Sequence, residues 1–126
     1  MPYSRVLLID DDEDDQEIFL SAMSEVSTSA VCTAESSARL ALQKLENREI
    51  SVDVIFLDLN MPIMDGKQFL AALKNHESLK KIHVIMLSTS ANPETISATK
   101  ALGADDFITK PNNYKDLKNI LQSILE

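Results

Sequence analysis

Five short apolar runs, each followed by an amphipathic stretch, constrain this chain more than any other feature. They fall at residues 6–9, 30–34, 54–57, 84–87 and 107–109, and regular alternation of that kind marks βα units around a parallel sheet. Three of the runs are almost wholly apolar, as strands covered by helices on both faces must be. The second, Ala30-Val31-Cys32-Thr33-Ala34, is more polar and is expected at a sheet edge. The expected fold class is therefore α/β, with five strands and five helices in one domain spanning 1–126, a length at which a core forms without disulfide or metal staples.

The helices carry their own signals. Ile18, Phe19, Ala22, Met23 and Val26 share one face of the first, and Tyr114, Leu117, Ile120, Leu121 and Ile124 share one face of the last. Ser36 or Ser37 can cap the second, whose stripe is Ala38, Ala41, Leu42 and Leu45. Asp65 and Gly66 open the third. Asn92, Pro93 and Glu94 supply a cap, a first-position proline and a first-turn acid for the fourth, which Gly103 can end. Its apolar face is thin, Ile96, Ala101 and Leu102 being the main members, so loose docking is expected.

Composition excludes several function classes. The formal net charge is -8, but six of the 20 acidic residues form the unbroken block 10–15, leaving 14 acids against 12 bases elsewhere. Acidity is thus mainly local, and the basic footprint that a nucleic-acid partner requires is missing. The first apolar run stops after four residues, too short for a signal-peptide core or a membrane span. The single cysteine, Cys32, allows no intramolecular disulfide and reads as a buried inert thiol in a strand, in keeping with a cytoplasmic setting. No output domain is expected after the last helical stripe, so signalling is expected to pass through binding of another protein or onward phosphotransfer.

In an open parallel sheet, ligands bind beyond the C-terminal ends of the strands. The first run ends in Asp10-Asp11, the third in Asp58-Leu59-Asn60, the fourth in Ser88-Thr89-Ser90 and the fifth in Lys110-Pro111. The rest of the acidic block, from Asp12 to Asp15, reads as a solvated helix N-terminus, where carboxylates suit the dipole. Asp10 and Asp11 directly follow a buried strand, where like charges destabilise one another unless a cation is present. With Asp58 they make a hard-oxygen set, without His or Cys, suited to magnesium, or to manganese as an alternative. A carboxylate can attack a phosphoryl donor, a step that needs charge neutralisation above all, and Lys110 together with a metal would supply it. Ser88 can donate to a phosphoryl oxygen once Asp58 carries one.

Four segments, LLIDD with Asp10 and Asp11, IFLDLNMPIMDG around Asp58, VIMLSTS with Ser88, and GADDFITKP with Lys110, make the whole chain resemble the receiver domain of two-component response regulators, in its stand-alone form. That resemblance implies a flavodoxin-like, doubly wound (βα)5 fold with strand order 2-1-3-4-5. It implies magnesium-dependent phosphotransfer from a sensor histidine kinase or histidine phosphotransfer protein to Asp58, and a switch of the surface around the fourth helix, fifth strand and fifth helix. Carried over by position, Asp11 and Asp58 bind metal through side chains, Asn60 through its backbone carbonyl, and Asp10 largely through water. Ser88 and Phe107 stand at the switch positions, and Asn60 and Ser90 at positions that tune loss of the phosphoryl group to water. Phe107 lacks the hydroxyl of the Tyr often found there, which removes any output that needs a phenol hydrogen bond. The chain would act as a signalling switch rather than an enzyme, as a monomer or a phosphorylation-dependent dimer, toward an unknown protein target.

Three rivals share parts of this pattern. A magnesium-dependent phosphohydrolase of the haloacid dehalogenase type would need an acid two residues after the nucleophile, where this chain has Asn60. A flavin-binding flavodoxin would need a first loop that cradles phosphate, which the acidic block would repel. A receiver-like interaction module that is never phosphorylated would not need the full set of site residues found here.

Overall fold

The five apolar runs pair side by side into one parallel sheet. A computed structural model describes residues 3–26, 29–89 and 92–125 of the chain. Its strands are β1 (Arg5–Ile9), β2 (Val31–Glu35), β3 (Val54–Leu57), β4 (His83–Ser88) and β5 (Asp106–Thr109), in the order β2-β1-β3-β4-β5. They alternate with α1 (Glu13–Val26), α2 (Ala38–Glu46), α3 (Gly66–Lys74), α4 (Pro93–Ala101) and α5 (Tyr114–Leu125). This is the flavodoxin-like arrangement expected.

The two-residue period of the strands divides the core in two. Leu7, Ile9, Ile55, Leu57, Val84 and Met86 face one side, where α2 and α3 bring Ala41, Leu42, Leu45, Phe69, Leu70 and Leu73. Val6, Leu8, Val54, Phe56, Ile85 and Leu87 face the other, against Phe19, Ala22 and Met23 of α1 and Leu117, Leu121 and Leu125 of α5. Phe19 and Phe56 meet edge to face across that second layer. Because the central strands are buried on both faces, their C-terminal ends are held in fixed register, which a site built on those ends requires.

Capping follows the sequence closely. The Ser37 hydroxyl accepts from the Leu40 N–H, Asp65 forms a reciprocal capping box with Gln68, and the Asn92 side chain accepts from the Thr95 N–H ahead of Pro93. Gly103, at φ 111°, takes the left-handed turn that ends α4.

Several expectations need correction. The second strand begins and ends one residue later than expected, because Val31 donates to Ser4 and starts the ladder while Ala30 stands outside it. Ile18 lies at the margin of the α1 stripe and is 47% exposed, above a groove toward α5. Tyr114 stands outside the core at the first residue of α5, its hydroxyl donating to Glu25 and its ring beneath Lys118. In α4, Ala101 is exposed and the one fully buried residue is Thr99, whose hydroxyl is satisfied by the Ile96 carbonyl one turn back. Cys32 is half-buried rather than buried, and burial pushes its thiol up to about 12, which favours the protonated form. Among the described residues no helix is long and apolar enough to cross a membrane.

Candidate functional site

Asp10 and Asp58 are the residues immediately after two paired strands. Ile9 lies opposite Leu57, the Asp58 N–H donates to the Ile9 carbonyl at 2.9 Å, and the Asp10 N–H donates to Glu35 at 3.0 Å. The same alternation that turns Ile9 and Leu57 into one core layer turns the next residues to the opposite side. Asp10 is 1% exposed and Asp58 8%. Asp11, one step further, is exposed. One carboxylate oxygen from each of these three lies within 4.8 Å of the others.

The acidic block is shaped by local hydrogen bonds. Asp10 accepts the Asp12 N–H at 3.0 Å, and Asp12 in turn accepts the N–H groups of Asp14 and Asp15, so it caps α1. The Gln16 amide donates to the Asp10 carbonyl and to the Ser36 hydroxyl, tying α1 to both neighbouring loops.

On the other side of Asp58, β4 and β5 end together. Ser88 is opposite Thr109, and the Lys110 N–H donates to the Ser88 carbonyl at 2.8 Å. Ser88 is fully buried at the end of the strand next to Asp58. The Lys110 ammonium reaches across to 2.9 Å from Asp10, 3.0 Å from Asp15 and 3.9 Å from Asp58. Phe107 pairs with Met86 and is half-buried against the α2–α3 core layer. Asn60 is exposed, with its N–H 3.5 Å from Asp58, at the limit of a hydrogen bond. Ser90 lies outside the described residues.

Electrostatics follow from burial and crowding. Burial pushes the Asp58 carboxyl up to about 6; Lys110 pulls it down, Asp10 raises it, the Asn60 N–H lowers it and Asp11 adds a further push upward. Lys110 shows the complementary behaviour: burial alone would lower it, but its bonds to Asp10 and Asp15 hold it above the usual lysine range. An all-carboxylate donor set crowded around a charge-starved Asp58 fits a hard divalent cation, which would cancel the repulsion that burial amplifies.

Asp15 and Gln16 are the functional neighbours that sequence reasoning missed. The block 12–15 places Asp15 at a solvated helix N-terminus, yet it is half-buried and bound to Lys110. Its position one helical turn before Phe19 was the available signal, because i and i+4 share a face and Phe19 points inward.

Gly66 sets the geometry of the other flank. Its N–H donates to the Leu59 carbonyl at 2.9 Å, and a Cβ there would stand 2.6 Å from the Asp58 carbonyl oxygen and 2.9 Å from the Leu59 Cα. Both are backbone atoms that cannot rotate away. Gly66→Ala is therefore expected to cost about 2 kcal/mol in urea unfolding, and to displace the Asp58 backbone, visible as amide shifts at 58–60 in a nitrogen–proton correlation spectrum. An unchanged midpoint would mean that the loop yields without strain.

Comparison with known proteins gives one consistent family. The family model described as "Response regulator receiver domain" matches residues 6–122. The two-component response regulator ORR1 of Oryza sativa subsp. japonica is 36% identical over 123 residues, covering 93% of this chain and 53% of its own length. The chain thus spans about half the length of that rice relative. Response regulator Rcp1 of Synechocystis sp. is 32% identical over 128 residues, covering 98% of this chain and 87% of its own. Among solved structures, the phosphorylated cyanobacterial phytochrome response regulator RcpA superposes with a TM-score of 0.88 at 28% identity, covering 97% of this chain and 91% of that one. The Mn(2+)-bound form of Rcp1 superposes at 0.83 and 30% identity, covering 96% and 91%.

Proposed function

This chain belongs to the family of response regulator receiver domains, and from that premise we propose that Asp58 is the residue that accepts the phosphoryl group, with residues 1–126 acting as a single receiver domain. Receiver domains of two-component systems work with histidine kinases or histidine phosphotransfer proteins, and the donor here would be a phosphohistidine on such a partner in the cytoplasm. The observation that carries the reading is the nearly buried Asp58 carboxylate, flanked by two further carboxylates and by the Lys110 ammonium 3.9 Å away.

An oxygen of Asp58 bonds to phosphorus as the donor's phosphorus–nitrogen bond breaks, and the histidine departs with the electron pair. Asp58 and Asp11 would hold Mg2+, or Mn2+, through side chains, Asn60 through its backbone carbonyl, and Asp10 through water. The ion, when bound, supplies positive charge that offsets the charge gathered on the phosphoryl oxygens. Lys110 contributes the second positive charge from the opposite side. Ser88 then donates to a phosphoryl oxygen, and Phe107 turns inward behind it. Moving the switch from almost all inactive to almost all active needs about 5.5 kcal/mol of differential stabilisation. Several charge-assisted hydrogen bonds at roughly 1.5–3 kcal/mol each are enough. The surface of α4, β5 and α5 changes in consequence and is read by a downstream protein, as a monomer or through a dimer formed on phosphorylation. The thin attachment of α4, with only Thr99 fully buried, supports that assignment of the mobile element.

Asn60 in place of a second acid disfavours the phosphohydrolase, and the intact set of charged groups disfavours a module that is never phosphorylated. We therefore regard the chain as a switch that promotes only gain and loss of its own phosphoryl group. Intact mass spectrometry after incubation with acetyl phosphate and Mg2+ tests this. The native chain is expected to gain one phosphoryl mass and Asp58→Asn none; an unmodified native chain, or an equally modified variant, would refute the assignment.

A further inference from the structure

The Lys110 ammonium has three N–H donors, and two are committed in this structure, one to Asp10 at 2.9 Å and one to Asp15 at 3.0 Å. Its 3.9 Å separation from Asp58 is too long for a hydrogen bond. The two carboxylates that hold it are not equivalent. Asp10 belongs to the group of three whose oxygens converge within 4.8 Å, and Asp15 does not. A cation settling among Asp10, Asp11 and Asp58 takes a share of the charge on Asp10. Asp15 keeps its full charge for the lysine.

Asp15 is also fixed on a different body. It belongs to the first turn of α1, where its N–H is bound to the Asp12 carboxylate, whereas Lys110 follows β5. The ion pair therefore ties the ammonium to α1 at hydrogen-bond length while it stands 3.9 Å from Asp58. No other carboxylate stands within ion-pair distance of Lys110 among the described residues besides Asp10, Asp15 and Asp58.

We propose that Asp15 is a positioning residue that competes with the phosphoryl group for the Lys110 ammonium, and so sets how firmly this site holds phosphate on Asp58. The inference rests on the reading of Asp58 as phosphoacceptor. It deepens that reading by identifying a fourth carboxylate that acts through the lysine rather than through the metal. Removing its charge weakens the hold of α1 on the ammonium, since an amide oxygen accepts less strongly than a carboxylate, and lessens the repulsion felt by an incoming dianion. The charge is half-exposed, so the effect is moderate: the dissociation constant for beryllofluoride in saturating Mg2+ should fall about two- to fivefold in Asp15→Asn, the worth of one partly solvated ion pair. The half-life of the aspartyl phosphate should lengthen by a similar factor. Asp15→Glu, which keeps the charge, should stay near the native values.

Three measurements decide the matter. Beryllofluoride titration followed by amide shifts compares the native chain, Asp15→Asn and Asp15→Glu; equal or weaker binding by Asp15→Asn overturns the proposal. Calorimetry of Mg2+ alone should give native affinity in Asp15→Asn to within about twofold, and a larger loss would mean that Asp15 acts through the metal. Crystal structures without any phosphoryl mimic should show the Lys110-to-Asp58 separation contract to hydrogen-bond length in Asp15→Asn; an unchanged separation overturns the proposal. That last result is independent of phosphorylation, whereas failure of the native chain to take up phosphoryl or beryllofluoride would count against the reading of Asp58.

Discussion

Lys110→Met is expected to unfold at markedly lower urea than the native chain in metal-free buffer at pH 7, with a loss of about 3 kcal/mol. Lys110 is the shared counter-ion of Asp10, Asp15 and Asp58, and Asp10 and Asp58 are nearly shut off from water. Methionine fills much the same volume, so the loss reflects charge rather than a cavity. Removing the ammonium leaves two buried carboxylates facing each other with no compensation, the situation in which a broken buried pair costs most. Saturating Mg2+ is expected to recover much of the difference, since a cation among the same carboxylates replaces the missing charge. A variant as stable as the native chain without metal would show that Lys110 does not offset these acids.

Asp58→Asn is expected to move stability in the opposite direction. The folded Asp58 carboxyl is pushed up to about 6, chiefly by burial and against the opposing pull of Lys110, from an ordinary value of 3.8. The folded state therefore holds this proton more tightly than the unfolded chain does. As pH rises from about 4 to about 6 the unfolded chain has already released the proton while the folded chain must still give it up, so stability falls across that window. Above it the penalty is constant, about 2 kcal/mol after allowance for solvent screening. Asparagine never ionises. In metal-free buffer the variant should exceed the native chain by that amount at pH 7, and the gap should close as pH falls toward 4. Mg2+ at pH 7 should stabilise the native chain more than the variant, because only the native chain has the penalty to lose. Parallel pH profiles for the two proteins would contradict the idea that Asp58 is strained when charged.

The fold was legible because four of the five strands announced themselves twice, by an apolar run and by the polar residue after it. β3 reads VIFL and stops at Asp58; β1 stops at Asp10. Caps were legible for a similar reason, since Ser37, Asp65 and Asn92 act on backbone donors three residues away. The misreadings came where a residue's environment is set by a distant segment. Ile18 has the right spacing for the core, but the early part of α5 does not cover it. In α4 the residue at 0% exposure is Thr99, outside the apolar face of Ile96, Ala101 and Leu102 that the spacing marks, and Ala101 of that face is exposed.

By itself the sequence determined the number and order of the βα units, the edge position of β2, and the set of groups that end the strands, because these depend on periodicity and on chain neighbours. Only the tertiary structure decided how those groups share charge. Lys110 is 95 residues from Asp15 and 100 from Asp10 along the chain. Register across β1, β3, β4 and β5 brings them to one rim, and the first turn of α1 then sets which carboxylates hold the ammonium. Coulomb interactions depend on distance in space and on burial, and neither is written in sequence spacing.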